Sequence, residues 1–271
     1  HQLARKAAAE SIVLLKNENG ILPLKKGARV ALIGAFAFKP RYQGAGSSLV
    51  NPVSMETMES EIKTSGLEVI GIARGYQRNG KRNRKLEEEA LALAGNADAV
   101  LYCFGLTEAS ESEGMDRKHM RLPENQTRLL EQIAKVNPHV IGILSAGAPV
   151  EMPWLSCCQG LLHGYLAGEG GGGAMLEVVT GRVNPSGKLS ETYPMTYEDT
   201  PAFVFGSGPE DRCEYREGIF TGYRYYDRRE IPVRFPFGFG LSYTSFSYSD
   251  LKTDETGVSF TITNTGEYAG S

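Results

Sequence analysis

Five short apolar runs, spaced by stretches of helical periodicity, constrain this chain more than any other feature. They cover residues 29–34 (Arg-Val-Ala-Leu-Ile-Gly), 67–73, 98–104 (Asp-Ala-Val-Leu-Tyr-Cys-Phe), 139–145 and 160–166. Runs this short and this continuously apolar read as strands buried on both faces. Helices are expected over 3–16, where Leu3, Ala7, Ile12 and Leu15 share a face, and over 54–65 with Ser54 as N-cap. Three more are expected over 86–94, over 124–136 with Pro123 placed to start it, and over 174–180. Strands alternating with helices give a doubly wound, mostly parallel α/β sheet covered on both faces. Right-handed crossovers then carry the loops after the strands to one edge, which collects 36–51, 105–123, 146–154 and 167–173.

With 271 residues the chain has room for one large domain and a small one. A net charge of −3 gives no electrostatic case for nucleic acid or an anionic membrane, and no run approaches the length of a membrane span. The amino end is amphipathic, is not a signal sequence and starts at His1, so a processing boundary is expected there. Four cysteines are too few for a disulfide scaffold. Cys103 falls in a strand as a small hydrophobe, Cys157 and Cys158 are adjacent, and Cys213 sits in a loop. A reducing compartment fits, and with it the cytoplasm.

A long strand-to-helix connection at the carboxyl end of a strand brings several carboxylates close together. Within 110–123, Ser-Glu-Ser-Glu-Gly-Met-Asp-Arg-Lys-His-Met-Arg-Leu-Pro, stand Glu111, Glu113, Asp116 and Arg117, with Glu108 just before them. Loops at the carboxyl ends of strands are where open α/β sheets place their ligands. Crowded carboxylates are expected to raise one another's pKa and so keep a glutamic acid protonated near neutrality. A solvated acidic loop is the competing reading; the length of the connection favours a functional one. The basic loop over 74–85 reads as solvated surface.

Gly168-Glu-Gly-Gly-Gly-Gly173 formally satisfies a dinucleotide fingerprint. It follows the last strand rather than the first, and the acidic residue at a suitable distance, Glu191, lies past an Asn-Pro-Ser-Gly turn, so close backbone packing at a helix start is the preferred reading. Gln43-Gly-Ala-Gly-Ser-Ser48 suits an anion cradle but lacks the lysine of a P-loop. Gln43 and Ser47 are its candidates for lining a substrate pocket, and a purely structural loop stays open. His163 is expected to be a satisfied core histidine, and His119 has no second ligand at metal spacing, so no metal and no cofactor are expected. A Gly-x-Ser-x-Gly elbow is missing, which removes the usual α/β-hydrolase reading.

From about Gly206 helical signals thin out while aromatics and glycines accumulate, among them Tyr215, Phe220, Tyr223, Tyr225, Tyr226, Phe235, Phe237 and Phe239. Those aromatics fit core filling or the walls of a sugar site. Alternating strands follow over 245–251 and 257–264. The expected division is an α/β sandwich domain over 1–208, an aromatic linker over 209–243 and part of an all-β sandwich over 244–271 that residues after Ser271 complete.

Ser11-Ile-Val-Leu-Leu-Lys-Asn17, Leu22-Pro-Leu24, Gln43-Gly-Ala-Gly-Ser-Ser48, Ser112-Glu-Gly-Met-Asp-Arg117 and Gly181-Arg-Val-Asn-Pro-Ser-Gly-Lys-Leu189 stand in an order that is familiar. So do Tyr215-Arg-Glu-Gly-Ile-Phe-Thr-Gly-Tyr-Arg-Tyr-Tyr226 and Phe235-Pro-Phe-Gly-Phe-Gly-Leu-Ser-Tyr243. Across nearly its whole length the chain resembles the carboxyl-side half of glycoside hydrolase family 3 enzymes, chiefly β-glucosidases. The resemblance implies a six-stranded α/β sandwich, and at Asn264-Thr-Gly266 the start of a fibronectin type III-like domain. It also implies a retaining mechanism whose nucleophile, an Asp, stands on a (β/α)8 barrel, while a Glu on a sandwich-domain loop is the acid/base.

Carried over, Glu113 matches the acid/base; Glu111 is the rival, because a register error of two residues exchanges them. Asp116 and Arg117 are expected to hold the loop. No Ser-Asp-Trp-type nucleophile segment occurs, and the single Trp154 matches a structural Pro-Trp-Leu motif, so the barrel belongs to another part of the same chain or to a companion chain. The expected function is the acid/base-bearing part of an exo-β-glycosidase acting on terminal β-linked glucose, or xylose, of oligosaccharides. The alternatives are a sugar-binding or scaffolding module and a nucleotide-binding protein using the glycine run. Homo-oligomerisation stays open.

Overall fold

A computed structural model describes residues 1–206 and 214–270; Cys213 and the expected boundary at 208/209 lie outside the described residues. In chain order the elements are α1 (Gln2–Ser11), β1 (Val13–Asn17), β2 (Arg29–Ile33), α2 (Met58–Glu61), β3 (Glu68–Ala73), α3 (Arg84–Ala94) and β4 (Ala99–Gly105). They continue with α4 (Glu124–Val136), β5 (Val140–Ser145), β6 (Gly160–His163), α5 (Gly171–Val179), β7 (Tyr193–Pro194) and α6 (Pro201–Phe205). The described chain closes with α7 (Tyr223–Arg229), β8 (Val233–Phe235), β9 (Phe246–Asp254) and β10 (Gly257–Asn264).

One six-stranded sheet, in the order β1-β6-β5-β4-β2-β3, forms the centre. Neighbours from β6 to β3 are parallel and β1 is antiparallel to β6. The sheet and its crossovers make the fold the expected doubly wound α/β sandwich. Its sixth strand corrects the sequence reading, which ran one helix from 3 to 16. α1 stops at Ser11, Ile12 turns extended at φ −65° and ψ 130°, and Val13, Leu14 and Leu15 are buried against β6. β-Branched residues at 12 and 13 fit a pleated surface, and the apolar run is too continuous for a one-faced helix.

A second correction concerns α2, which is one turn long and is capped by Thr57 rather than Ser54. The Thr57 side chain accepts from the Ser60 N–H while the Ser60 hydroxyl accepts from the Thr57 N–H, a reciprocal box that satisfies two otherwise free donors. α7 is a third: the reading found few helical signals there, yet Tyr225 and Tyr226 bury one side of a two-turn helix.

The topology fixes where a site falls. β2 leads rightward to β3, whereas β3, β4 and β5 lead leftward, so right-handed crossovers put α2 on one face and α3 with α4 on the other. The packing agrees: α5 lies against α1 and α2, and α3 against α4. The connections leaving β2 and β4, neighbours in the sheet, therefore part toward opposite faces and open a crevice at that switch point. Beneath it lies an apolar core in which Tyr102, Phe104 and Trp154 are almost fully buried, with Trp154 edge-on to Phe104 at 4.8 Å. Each such side chain contributes about 1.5–3 kcal/mol by leaving water.

After α5 the chain stays attached. β7 pairs with β8, Leu241 donates its N–H to Leu14 O at 2.8 Å on the outer side of β1, and Phe239 and Tyr243 pack on the core. The β9–β10 hairpin turns at Asp254, whose Oδ1 accepts from the N–H groups of Thr256 (2.7 Å) and Gly257 (3.2 Å). Tyr248, Leu251, Phe260 and Ile262 on it are exposed.

Candidate active site

Two loops meet over the crevice. Ala45, from the loop after β2, forms a parallel bridge with Ser112, from the loop after β4, and the Glu113 N–H donates to Ala45 O at 3.0 Å. Two residues further along the first loop, Ser47 donates its N–H to Glu113 Oε2 at 2.8 Å and its hydroxyl to the same oxygen. The Gln43–Ser48 loop thus does cradle an anion, and the anion is the chain's own carboxylate. Gly46 makes this possible. Its φ is +108°, and a Cβ there would stand 2.6 Å from Glu113 Cβ and 2.8 Å from Oε2.

Glu111 and Glu113, two positions apart, face different surroundings. Glu111 Oε2 pairs with Arg41 Nη1 at 3.2 Å, and both its oxygens accept from the Gly147 N–H at 3.0 Å. The Arg41 side chain is wholly buried and also donates to Leu106 O at 2.8 Å. Arg41 and Glu111 therefore lock the loops after β2, β4 and β5 together. Glu113 is exposed in an open groove of about 630 Å³, lined also by Ser48, Met115, Asp116, Arg117 and Ala148.

Of the other expected site residues, Arg117 donates to Pro149 O at 3.0 Å, and burial lowers its pKa against the pull of Glu111. Asp116 is exposed on the groove wall and makes no hydrogen bond or ion pair among the described residues. Gln43 accepts from the Val50 N–H at 3.0 Å through Oε1.

The expectation that crowded carboxylates raise one another's pKa is not met at Glu108 and Glu113, each of which has a partner of its own. Burial would raise Glu108, but its own backbone N–H and Arg78, at 2.6 Å, outweigh that and hold it low. The Ser47 side chain, then the Ser47 N–H, hold Glu113 below the usual carboxylate range. The raised carboxyl is Glu191, pushed to about 6 by burial, with Glu111 adding to the rise while Tyr165 and Arg117 oppose it. Sequence reasoning named Glu191 only in connection with the glycine run.

The basic loop is also less solvated than expected: Arg78 ties to Glu108 and lies over the Phe36 ring at 4.6 Å, and Tyr76 is buried. Arg41 and Gly147 were missed altogether. Nothing local in Lys39-Pro-Arg41 announces a partner 70 residues away.

The remaining candidates are structural. His163 is buried between Leu144 O (3.2 Å) and the Tyr193 hydroxyl (2.7 Å), the satisfied core histidine expected, and burial lowers its pKa to about 4. The glycine run packs closely, as preferred: a Cβ at Gly172 would stand 2.5 Å from the Thr57 carbonyl carbon. The start of α5 already holds a carboxylate, because Gly173 N–H donates to Glu56 Oε2 at 3.2 Å. Cys103, Cys157 and Cys158 are free thiols.

The chain is thus an open, doubly wound α/β sheet with a groove at its switch point, bordered by Glu111 and Glu113. The model of the Glycosyl hydrolase family 3 C-terminal domain matches residues 12–243, and the chain belongs to that family. It is 46% identical to the thermostable beta-glucosidase B of Acetivibrio thermocellus, over 100% of this chain and 37% of that protein. It is 40% identical to an exo-alpha-(1->6)-L-arabinopyranosidase of Bifidobacterium longum, over 98% of this chain and 37% of that protein. The crystal structure of a Bifidobacterium adolescentis GH3 beta-glucosidase superposes with a TM-score of 0.93 at 42% identity, covering 98% of this chain and 40% of that one. The chain thus spans about 37% of the length of these curated relatives.

Proposed function

We propose that this domain supplies the general acid/base, Glu113, of a retaining exo-β-glycosidase that removes terminal β-linked glucose from oligosaccharides. The nucleophile is then an Asp on a (β/α)8 barrel in the same or a companion chain. The observation that carries the reading is the contrast between two carboxylates: Glu111 is tied to buried Arg41, and Glu113 opens into the groove. A group that must give up and later recover a proton needs access to the leaving oxygen and then to water; both carboxylates border the groove, but Glu113 is exposed there, whereas the Glu111 side chain is only 10% exposed and is held by Arg41. A barrel face closing the groove would bring its nucleophile to within roughly 5–5.5 Å of Glu113, the separation of a retaining pair. Asp116 and Arg117 line the groove beside Glu113, while Gln43 turns its carboxamide to the Val50 N–H and is not part of the lining.

In the first step the glycosidic oxygen takes the Glu113 proton as the anomeric C–O bond breaks and the Asp bonds to the sugar. In the second step Glu113 removes a proton from the attacking water and the Asp leaves. The sugar is read from the relatives. The β-glucosidase at 46% identity favours glucose, and the arabinopyranosidase at 40% identity makes a terminal arabinopyranoside the rival substrate.

The test is Glu113→Ala beside Glu111→Ala in the complete enzyme. Glu113→Ala should lose most activity on alkyl glycosides, much less of the glycosylation rate on aryl glycosides with good leaving groups, and regain deglycosylation with azide. A fully active Glu113→Ala alongside an azide-rescued Glu111→Ala overturns the assignment.

A further inference from the structure

We infer that Ser47 is a positioning residue that holds Glu113 as its anion and so sets when that carboxyl carries a proton, an inference that rests on the acid/base reading of Glu113. Ser47 directs two donors, its N–H and its hydroxyl, at one oxygen, Oε2. Bonds to an ionised acceptor are roughly twice as strong as neutral ones, so this pair favours the carboxylate over the acid. The backbone holds the two loops in register. Glu113 N–H is held by Ala45 O, Ala45 is bridged to Ser112, and Gly46 leaves the space that Glu113 occupies. The loop that presents Ser47 and the loop that presents Glu113 therefore move as one body.

Among the described residues no other charged group in the groove bonds to Glu113. Arg41 and Glu111 are paired with each other, Arg117 is tied to Pro149 O, and Asp116 is exposed on the wall. The downward shift of Glu113 has Ser47 as its cause, through both donors, and not these neighbours.

The consequence for the reaction is specific. When the glycosidic oxygen takes the proton, the electron pair of the broken O–H bond stays on Glu113, and the Ser47 N–H and O–H meet the negative charge that forms. Ser47 thereby makes Glu113 a stronger acid in the first step. Protonation before the next turnover weakens both bonds and frees the carboxyl to swing toward the groove.

Two variants measured beside the wild type test this: Ser47→Ala, which keeps the N–H and deletes the hydroxyl, and Ser47→Thr, which keeps both. The first readout is the titration of the Glu113 side-chain carboxyl by carbon-detected NMR, assigned by its loss in Glu113→Gln. The second is the basic limb of the kcat/KM profile against pH in the complete enzyme. Ser47→Ala should move the carboxyl titration and the basic limb together toward higher pH, and Ser47→Thr should restore both. On substrates with poor leaving groups the pH-independent plateau of kcat/KM should fall by at most about tenfold, because the pair is solvent-exposed. A Glu113 titration unmoved by Ser47→Ala overturns the inference. A titration that moves while the basic limb stays overturns the acid/base reading of Glu113 and leaves the Ser47–Glu113 contact standing.

Discussion

Two glycine-rich loops follow strands in this chain, and each holds one of the chain's own carboxylates, with opposite results. At the start of α5, Gly173 N–H meets Glu56, which is 9% exposed and also bonded to Arg5 at 3.1 Å. Over the crevice, Gly46 and Ser47 meet Glu113, which is open to the groove. The first arrangement seals a helix end and staples α1, α2 and α5 together. The second holds a charged group where something else can reach it. Glycine in such a loop therefore reports a close approach of backbone, and the exposure of what approaches decides whether the approach is structural or chemical.

The comparison is broken most severely if the two carboxylates turn out interchangeable. Glu113→Ala should cut turnover of the complete enzyme on natural glycosides by about 10²–10⁴-fold with the melting temperature unchanged, measured by steady-state kinetics beside calorimetry. Glu56→Ala should do the reverse. It leaves the Gly173 N–H unsatisfied and removes one of three carboxylates around Arg5, which keeps Glu61 and Glu177, at about 1–3 kcal/mol of stability by urea unfolding, with kcat per folded molecule intact.

The glycines themselves sharpen the contrast. At Gly172 the obstacle is the backbone of Thr57, so Gly172→Ala should destabilise by about 1–3 kcal/mol or more without touching the pH profile. At Gly46 the obstacle is Glu113 itself, so Gly46→Ala should lower kcat/KM by roughly 10–100-fold, at a folding cost of about 1–2 kcal/mol for the positive φ.

The smallest expected effect lies away from both loops. His163 is held neutral, down to about 4 against an ordinary 6.5, so the unfolded chain binds its proton first as pH falls. Its contribution to stability is complete above pH 6.5 and is lost on the way down to about 4, roughly 2 kcal/mol by pH 5. Glu191, raised to about 6 from 4.5, acts in the opposite direction, losing its contribution as pH rises through that window. Unfolding free energies at pH 5 and 7 should therefore fall more steeply with acid in Glu191→Gln and more gently in His163→Gln than in wild type.

Much of this was legible in the sequence, for identifiable reasons. Four of the five parallel strands announced themselves because a strand buried on both faces has to be continuously apolar; β3, at the sheet edge and half-buried, carried the same apolar pattern. The site loop announced itself by length and charge. β1 did not, because Ile12 and Leu15 also satisfy helical spacing and only the contact with β6, far along the chain, decides between the two. The electrostatics were misread for a related reason. Glu108, Glu111 and Glu113 are neighbours in sequence, but Arg78, Arg41 and Ser47 reach them from other loops and separate them in energy. Resemblance supplied what residue chemistry alone does not, the choice of Glu113 over Glu111.

The hydrogen bond from Leu241 to Leu14 has a practical side. β1 is the last strand of its sheet, and an uncovered last strand is an invitation to other molecules. Residues 239–243 act as a selvage, stitching that border shut with chain that arrives more than two hundred positions later. A shortened version cut after 235 would keep every strand of the central sheet and every atom of the crevice, yet should precipitate or form ladders on storage. Where to trim this domain for biophysical work is thus dictated by its hem and not by its site.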